Sequence, residues 1–159
     1  MPQIEVEFKE VGPQTVAYVA RKGSFAQFAA AMGELMGFMG RQGLQMAGPP
    51  FGVYYNAPGE VPEEELSWEV CFPVAGASEG EGVKALPALE VAATVHKGSY
   101  HSMGATYQAL ATQIAAEGYR IAGPAEEVYL SDPRTVAEQE LLTEVRFPVA
   151  PAEEGEAAP

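Results

Sequence analysis

The sequence predicts an α+β fold built from two similar halves, on the basis of three observations. First, Val16–Ala75 aligns without a gap with Val91–Ala150, at an offset of about 75 residues, and about 24 of roughly 60 aligned positions are identical. Second, each half contains segments in which polar and apolar residues alternate, a pattern typical of strands. Third, each half contains one longer segment with apolar residues at helical spacing. We therefore expect duplicated β-α-β-β-type modules with pseudo-two-fold symmetry, an antiparallel-rich sheet and two helices on one face of it.

The predicted elements follow the same order in each half. Alternation over residues 4–9 indicates a first strand, and Val16–Arg21 forms the second. A helix begins at Ser24, which together with Gln27 fits a capping box. The remaining strands are predicted at Phe51–Tyr55, Leu66–Val74, Val128–Leu130 and Leu141–Val149.

Each predicted helix carries an apolar stripe, which we expect to pack on the sheet. Gly43 and Gly118 follow the two helices, as expected of C-terminal caps. The stripes consist of Phe25, Phe28, Met32, Leu35, Met36 and Met39 in the first half and of Tyr100, Met103, Tyr107, Leu110 and Ile114 in the second.

The length of 159 residues is that of one compact domain or of two small fused halves. A half of about 75 residues is marginally stable alone, so the two halves are expected to share one sheet. We predict a single domain at residues 1–150, made of repeats at about 1–76 and 82–150. Residues 151–159 are rich in Ala, Pro and Glu and are expected to form an acidic, flexible tail.

The charge and the apolar pattern exclude several classes of protein. A formal net charge of −13 argues against direct binding of nucleic acid, which needs a basic surface. No run of 18 apolar residues is present, so no membrane span is expected. Glu5, Glu7 and Glu10 stand where a signal peptide would need basic residues. A single cysteine, Cys71, cannot form an intrachain disulfide, and we expect a cytoplasmic protein.

Two glutamates, Glu69 and Glu144, lie at matched positions inside apolar strands. Because side chains alternate along a strand, both glutamates point away from the apolar residues that we assign to the helix side. A carboxylate buried there without a partner is costly, so it takes up a proton or awaits a cation. Arg146 lies two residues beyond Glu144 on the same face and is an alternative partner for it. By the same alternation Trp68 faces the core, unless a bulge turns it toward the glutamates.

Three segments of the second half resemble the GyrI-like small-molecule-binding domain. They are Lys97–Tyr100 at the start of a helix, Glu127–Pro133 and Leu141–Val149. The same fold forms the effector-binding part of AraC-type and MerR-type multidrug regulators, and the resemblance covers residues 3–150. It implies a concave sheet surface with a ligand pocket on the pseudo-two-fold axis. It also implies apolar, often cationic ligands that are held by aromatic side chains and a buried glutamate.

The resemblance also leaves enzymatic activity open, since some members of that family have been assigned hydrolase activity on reactive cyclopropane-bearing compounds. This chain shows no N-terminal helix-turn-helix segment of the kind found in the regulators, and we expect that it does not read DNA by itself. No cofactor motif is recognisable, and His96 and His101, the two histidines, do not have the spacing of metal ligands on one helical face. We therefore expect neither a cofactor nor a metal.

The leading interpretation is a stand-alone, bacterial effector-binding or sequestering protein that binds a hydrophobic, cationic small molecule. In the first alternative, a hydrolase acts on an electrophilic substrate in the same pocket, with Glu69 as general acid and Glu144 as its ionised partner. In the second, an acidic protein modulates a DNA-acting enzyme through protein contacts. The predicted ligand-binding residues are Glu69, Glu144, Tyr54, Tyr55, Tyr129, Trp68 and Arg146.

Overall fold

The computed structural model describes residues 4–56, 59–76, 79–132 and 135–152. These residues form two α-helices and ten strands, and every strand pairing is antiparallel, which confirms the α+β class. Most of the predicted tail, from residue 153 onward, lies outside the described residues. In chain order the elements are β1 (Glu7–Val11), β2 (Gln14–Lys22), α1 (Phe28–Gln42), β3 (Gln45–Met46), β4 (Phe51–Tyr54), β5 (Ser67–Ala75), β6 (Val83–Leu86), β7 (Leu89–Lys97), α2 (Met103–Ala116), β8 (Tyr119–Ile121), β9 (Ala125–Tyr129) and β10 (Leu142–Pro151).

The chain divides into two compact units, each with its own helix. The first unit is Gly12–Ala88, and the second combines the described parts of Met1–Val11 and Leu89–Pro159. Thus β1 belongs to the unit formed by the second half of the chain, and β6 completes the unit formed by the first half. The strands pair in the order β6-β2-β5-β4 in the first unit and β1-β7-β10-β9 in the second. The two-fold relation between the halves stays a prediction.

In the first unit, α1 packs on the face of the sheet that the alternation in β5 predicts. Leu35 is fully buried, and Trp68 and Val70 of β5 lie in the same core. Gly43 ends the helix with φ of 66°, a left-handed conformation that suits glycine at this position. Met36, which we predicted to face the core, is instead 48% exposed. The buried stripe of α1 is narrower than the apolar pattern, because Ala31, Leu35 and Met39 already fill the contact with the sheet.

In the second unit, α2 packs on β7 and β10 in the same manner. Leu110 and Ile114 of the helix are buried against Val145 of β10. Tyr100, which was assigned to the apolar stripe, lies in a single 3-10 turn before the helix and is 41% exposed. The core of this unit therefore begins at Met103 and leaves Tyr100 at its rim.

Most predicted strand boundaries differ from the structure by one or two residues, and two of them differ by three. The first strand begins at Glu7 rather than at residue 4, and β9 begins at Ala125, three residues before the predicted start. Glutamate is uncommon in strands, so the composition at Glu126 and Glu127 is unfavourable for a strand. Both side chains have hydrogen-bonding partners in the folded unit, and these contacts compensate for the unfavourable composition of the strand.

The two units differ at one pair of facing strand residues. In the second unit Arg146 faces Glu126, and both are almost fully buried, at 7% and 5% exposure. The guanidinium donates to Glu126 Oε1 from Nε at 2.8 Å, and its Nη2 lies 2.7 Å from the same oxygen. In the first unit the facing residues at the matching positions are Cys71 and Phe51, which are buried and apolar. One unit thus holds an ion pair where the other holds an apolar contact.

We expect Arg146→Cys to lower the free energy of unfolding by about 3–5 kcal/mol, because it leaves the Glu126 carboxylate buried without its cation. The double variant Glu126→Phe/Arg146→Cys, which copies the pair of the first unit, should recover most of that loss. Urea unfolding of the three proteins measures both effects. A double variant as unstable as the single one would contradict this explanation.

Candidate functional site

The two glutamates singled out by the repeat each have a lysine partner. Glu69 Oε1 lies 2.6 Å from Lys84 Nζ, and Glu144 Oε1 lies 2.5 Å from Lys9 Nζ. Both carboxylates are 12% exposed. Lys9 stands on β1 and Lys84 on β6. The two lysines are separated in sequence by the same repeat offset as the two glutamates. A cation from within the unit therefore already balances each carboxylate, and their role as ligand contacts stays a prediction.

Arg146 contacts the predicted site only weakly. Its Nη1 lies 3.8 Å from Glu144 Oε2, whereas its main partner is Glu126. Glu144 also borders a half-open groove of about 520 Å³ in the second unit. The other residues that line this groove are Ile4, Glu5, Val6, Glu7, Ala93, Thr94 and Val95.

A third carboxylate, Glu127 on β9, has different surroundings. Tyr107 on α2 donates its hydroxyl to Glu127 Oε2, and Tyr129 donates its hydroxyl to Oε1 at 3.0 Å. Among the described residues, no lysine or arginine forms an ion pair with Glu127. Within the described part of the chain, the side-chain donors to this carboxylate are thus two neutral hydroxyls.

Burial raises the pKa of Glu127 above its ordinary value. The hydrogen bonds from Tyr107 and Tyr129 and the charge of His96 act in the opposite direction but are smaller effects. A carboxyl group in this environment holds its proton more tightly than one in water, and a nearby cation would reverse the effect.

Tyrosines surround this carboxylate on the helix side of the sheet. The rings of Tyr100 and Tyr129 meet edge to face, with centroids 5.9 Å apart. Tyr107 makes a similar contact with Phe147 at 5.8 Å. Burial raises the pKa of Tyr100, and the negative charge of Glu127 adds to this effect. The result is a carboxylate bordered by three tyrosines, of which Tyr100 is the most exposed.

Local structure explains why these side chains converge. Glu127 and Tyr129 are two residues apart on β9, so they share the face of the strand that is covered by the helix. Tyr107 lies about one turn into α2, which crosses that face, and Tyr100 lies in the 3-10 turn that leads into the helix. The site therefore depends on where α2 begins.

The first unit has no carboxylate at the corresponding position, where Gly52 stands. A Cβ atom at Gly52 would lie 2.7 Å from the hydroxyl oxygen of Tyr54, so the tyrosine ring occupies the space of a side chain. Tyr54 packs with Phe25 at 5.1 Å and with Phe28 at 6.3 Å between ring centroids. The equivalent place in the first unit is thus an aromatic cluster.

The structure places the remaining predicted residues as follows. Trp68 is 1% exposed and donates its indole N–H to the carbonyl oxygen of Gly23 at 2.9 Å, which confirms that it faces the core. Tyr55 is exposed and directly follows β4. Tyr129 contacts Glu127 rather than Glu144. The predicted ligand contacts of Trp68 and Tyr55 stay predictions.

Sequence reasoning missed Glu127, Tyr107 and Tyr100 as site residues. Glu127 was excluded because the strand was predicted to begin one residue after it. A usable signal was present, since Glu127 precedes Tyr129 by two residues and is replaced by Gly52 in the other half. A charged residue in one repeat at a position held by glycine in the other indicates a role that the fold itself does not require.

No group of three or more His, Cys, Asp or Glu side chains suited to a metal ion occurs in the described part of the chain. Neither of the helices formed by these residues is long and apolar enough to cross a membrane.

Comparison with protein families matches residues 4–150 to the GyrI-like small molecule binding domain. The chain belongs to this family. A comparison with curated protein sequences found no match. The fold, with antiparallel strands and two helices, and the function of a small-molecule-binding domain are therefore established for this GyrI-like domain at the level of the family.

Solved structures share the fold of this GyrI-like domain at low sequence identity. The C-terminal domain of EcmrR is 21% identical with a TM-score of 0.75, covering 93% of this chain and 98% of that domain. EcmrR in its complex with DNA is 22% identical to this chain with a TM-score of 0.81. The match covers 92% of this chain but only 57% of EcmrR. A hydrolase from Listeria innocua is 17% identical with a TM-score of 0.71, and the match covers 94% of this chain and 93% of the hydrolase. SAV2435 bound to tetraphenylphosphonium is 11% identical with a TM-score of 0.59, covering 92% and 94%.

The raised pKa of Glu127 predicts how stability depends on pH. The folded protein holds this proton more tightly than the unfolded chain, whose glutamate has the ordinary value of 4.5. The free energy of unfolding contributed by Glu127 therefore falls as the pH rises from 4.5 through the folded pKa. We expect Glu127→Gln to gain stability relative to the wild type as the pH rises above 4.5. Urea unfolding across this range measures the difference, and a constant difference would contradict the expectation.

Proposed function

We propose that this GyrI-like domain binds a lipophilic, cationic small molecule beside Glu127. The observation that carries the proposal is the difference between the carboxylates. Glu69, Glu144 and Glu126 each have a lysine or arginine within ion-pair distance, whereas Glu127 is held by two tyrosine hydroxyls. A bound cation would supply the positive charge that the protein itself provides at the other three positions.

The energetics favour a cation with apolar substituents. An anionic carboxylate that is largely removed from water is unfavourable unless it is paired, and a cationic ligand that is itself poorly hydrated can approach it closely. The faces of the surrounding tyrosines add cation–π attraction of about 0.5–2 kcal/mol per favourable contact. Tyr100 is 41% exposed, so we expect a ligand to approach the carboxylate beside this ring.

Similar structures support this class of ligand. SAV2435 has been solved with tetraphenylphosphonium, a cation enclosed by four phenyl groups. EcmrR has been solved as a complex with DNA, and this chain corresponds to its C-terminal domain. We infer a binding protein of the effector-domain type for this chain. Cytoplasmic location, a bacterial source and an additional protein partner stay predictions.

We expect tetraphenylphosphonium to bind the wild type and Glu127→Gln to bind it about tenfold to 100-fold more weakly, because the variant loses a charged contact of about 1.5–3 kcal/mol. Isothermal titration calorimetry measures the two affinities. Glu117→Gln removes one exposed negative charge at the end of α2 and serves as the control for net charge. Tetraphenylborate has the same shape with a negative charge and should not bind the wild type.

The same titration compares the predicted glutamates. If Glu144→Gln or Glu69→Gln weakens tetraphenylphosphonium binding while Glu127→Gln leaves it unchanged, then the ligand lies beside the lysine-paired carboxylates and our assignment is wrong. Affinity should also rise with pH as Glu127 loses its proton, and this dependence should disappear in Glu127→Gln.

A hydrolase is the second candidate function for the same site. The specific observation is a carboxyl group of raised pKa in direct hydrogen bond with the Tyr107 hydroxyl, an arrangement suited to general acid or base chemistry. A similar fold occurs in the Listeria innocua hydrolase. Electrophilic cyclopropanes, tested with mass detection of added water, distinguish the two functions. For the hydrolase, Glu127→Gln should abolish product formation, whereas absence of product with the wild type across the panel would leave binding as the function.

A further inference from the structure

His96 joins β7 to the start of α2 in the second unit. Its side chain is buried, and Nδ1 lies 2.8 Å from the Thr106 hydroxyl on α2. Nε2 lies 3.0 Å from the carbonyl oxygen of Ser99 and 3.1 Å from the Ser102 hydroxyl. One imidazole thus contacts the residue before the 3-10 turn, the last residue of that turn and the first full turn of the helix.

The partners of His96 determine which ring nitrogen carries the proton. The Ser99 carbonyl oxygen can only accept a hydrogen bond, so Nε2 donates to it. In the neutral ring Nδ1 then accepts from the Thr106 hydroxyl. The Ser102 hydroxyl also donates to the Ser99 carbonyl oxygen at 2.8 Å. These contacts fix the backbone between residues 99 and 102 as well as the helix that follows.

The first unit holds the corresponding backbone differently. There Trp68 on β5 donates its indole N–H to Gly23, and it faces Arg21 on β2. In the second unit Thr143 takes the place of Trp68, and His96 takes the place of Arg21. The ring that donates an N–H therefore stands on β5 in the first unit but on β7, the counterpart of β2, in the second. The indole of the first unit has one hydrogen bond to the turn, whereas the imidazole of the second also contacts the helix itself.

The Thr143 side chain, which faces His96, is fully buried, and its hydroxyl oxygen has no hydrogen-bond partner among the described residues. A buried, unsatisfied hydroxyl is unfavourable by about 1–3 kcal/mol. Thr143 stands at the position that Trp68 holds in the first unit, and it faces His96 on the neighbouring strand.

We propose that His96 is a positioning residue for the cation site, a role that rests on the function proposed above. Thr106, which His96 contacts, directly precedes Tyr107, whose hydroxyl donates to Glu127. Tyr100 lies in the turn between the two serines that contact the imidazole. His96 therefore sets the positions of two of the three tyrosines around the carboxylate, without contacting the carboxylate through a hydrogen bond.

The test compares affinity for tetraphenylphosphonium in His96→Phe and His96→Gln, well below the melting temperature of each variant. Phenylalanine keeps a ring but has no N–H, and we expect affinity to fall about tenfold or more. The glutamine amide can place an N–H near the position of Nε2, and we expect affinity within about threefold of the wild type. Ser24→Ala is the matched control. It removes the hydroxyl that accepts from the Ala26 N–H at the helix start of the first unit. It should lower the melting temperature and leave affinity unchanged.

The outcomes separate this proposal from the proposed function. If Glu127→Gln weakens binding but His96→Phe binds like the wild type, the cation site stands and the positioning role is overturned. If the wild type does not bind tetraphenylphosphonium, both are overturned. If His96→Phe does not fold, the affinity of Thr106→Val for tetraphenylphosphonium tests the same role. This variant removes the hydroxyl that contacts His96 Nδ1 and keeps the shape of the side chain. Weaker binding by that variant supports the positioning role, and unchanged binding overturns it.

Discussion

The hydrogen bond from Tyr107 to Glu127 connects β9 to the helix that covers it, and Tyr129 on the same strand supplies a second hydrogen bond to the carboxylate. The candidate site depends on these two contacts. A carboxylate under a helix needs donors, and tyrosine provides a neutral hydroxyl at the end of a ring that also contributes apolar surface. The strand can therefore begin early, at Ala125, despite two consecutive acidic residues. The position of the helix is constrained in turn, since Tyr107 reaches the carboxylate only when α2 begins where it does. His96 holds the start of α2 in place through its contacts with Ser99, Ser102 and Thr106.

The faces of the strands were predictable from the sequence, whereas the partners of the charged residues were not. Alternation alone placed Glu69 and Glu144 on the side away from the helix, because that inference needs only the geometry of a single strand. Their partners Lys9 and Lys84 come from strands that are two positions away in the sheet, across β7 and β2 respectively. Strand order depends on contacts between distant parts of the chain, and the pattern within one segment carries no information about it.

The site was missed for a related reason. Glu127 and Tyr129 are local to one strand, and their common face could have been inferred had the predicted strand begun one residue earlier. Tyr107 is 20 residues away on a helix, and its contact with Glu127 depends on how the helix crosses the sheet. The helical stripe correctly placed Tyr107 on the sheet side, but a stripe specifies a face and not a partner. The polar tip of a tyrosine within an apolar stripe is the feature that marks such a contact in advance.

The differences between the units show which features the fold requires and which it does not. Gly52 with the ring of Tyr54 above it fills the first unit at the place where Glu127 stands in the second, so a carboxylate is not needed for packing. The same holds for the buried pair of Arg146 and Glu126, which the first unit replaces by apolar residues. Buried charge generally lowers or leaves unchanged the stability of a core relative to apolar residues of similar volume. Because the described donors to Glu127 are neutral hydroxyls, its negative charge stays available to a cation from outside the protein.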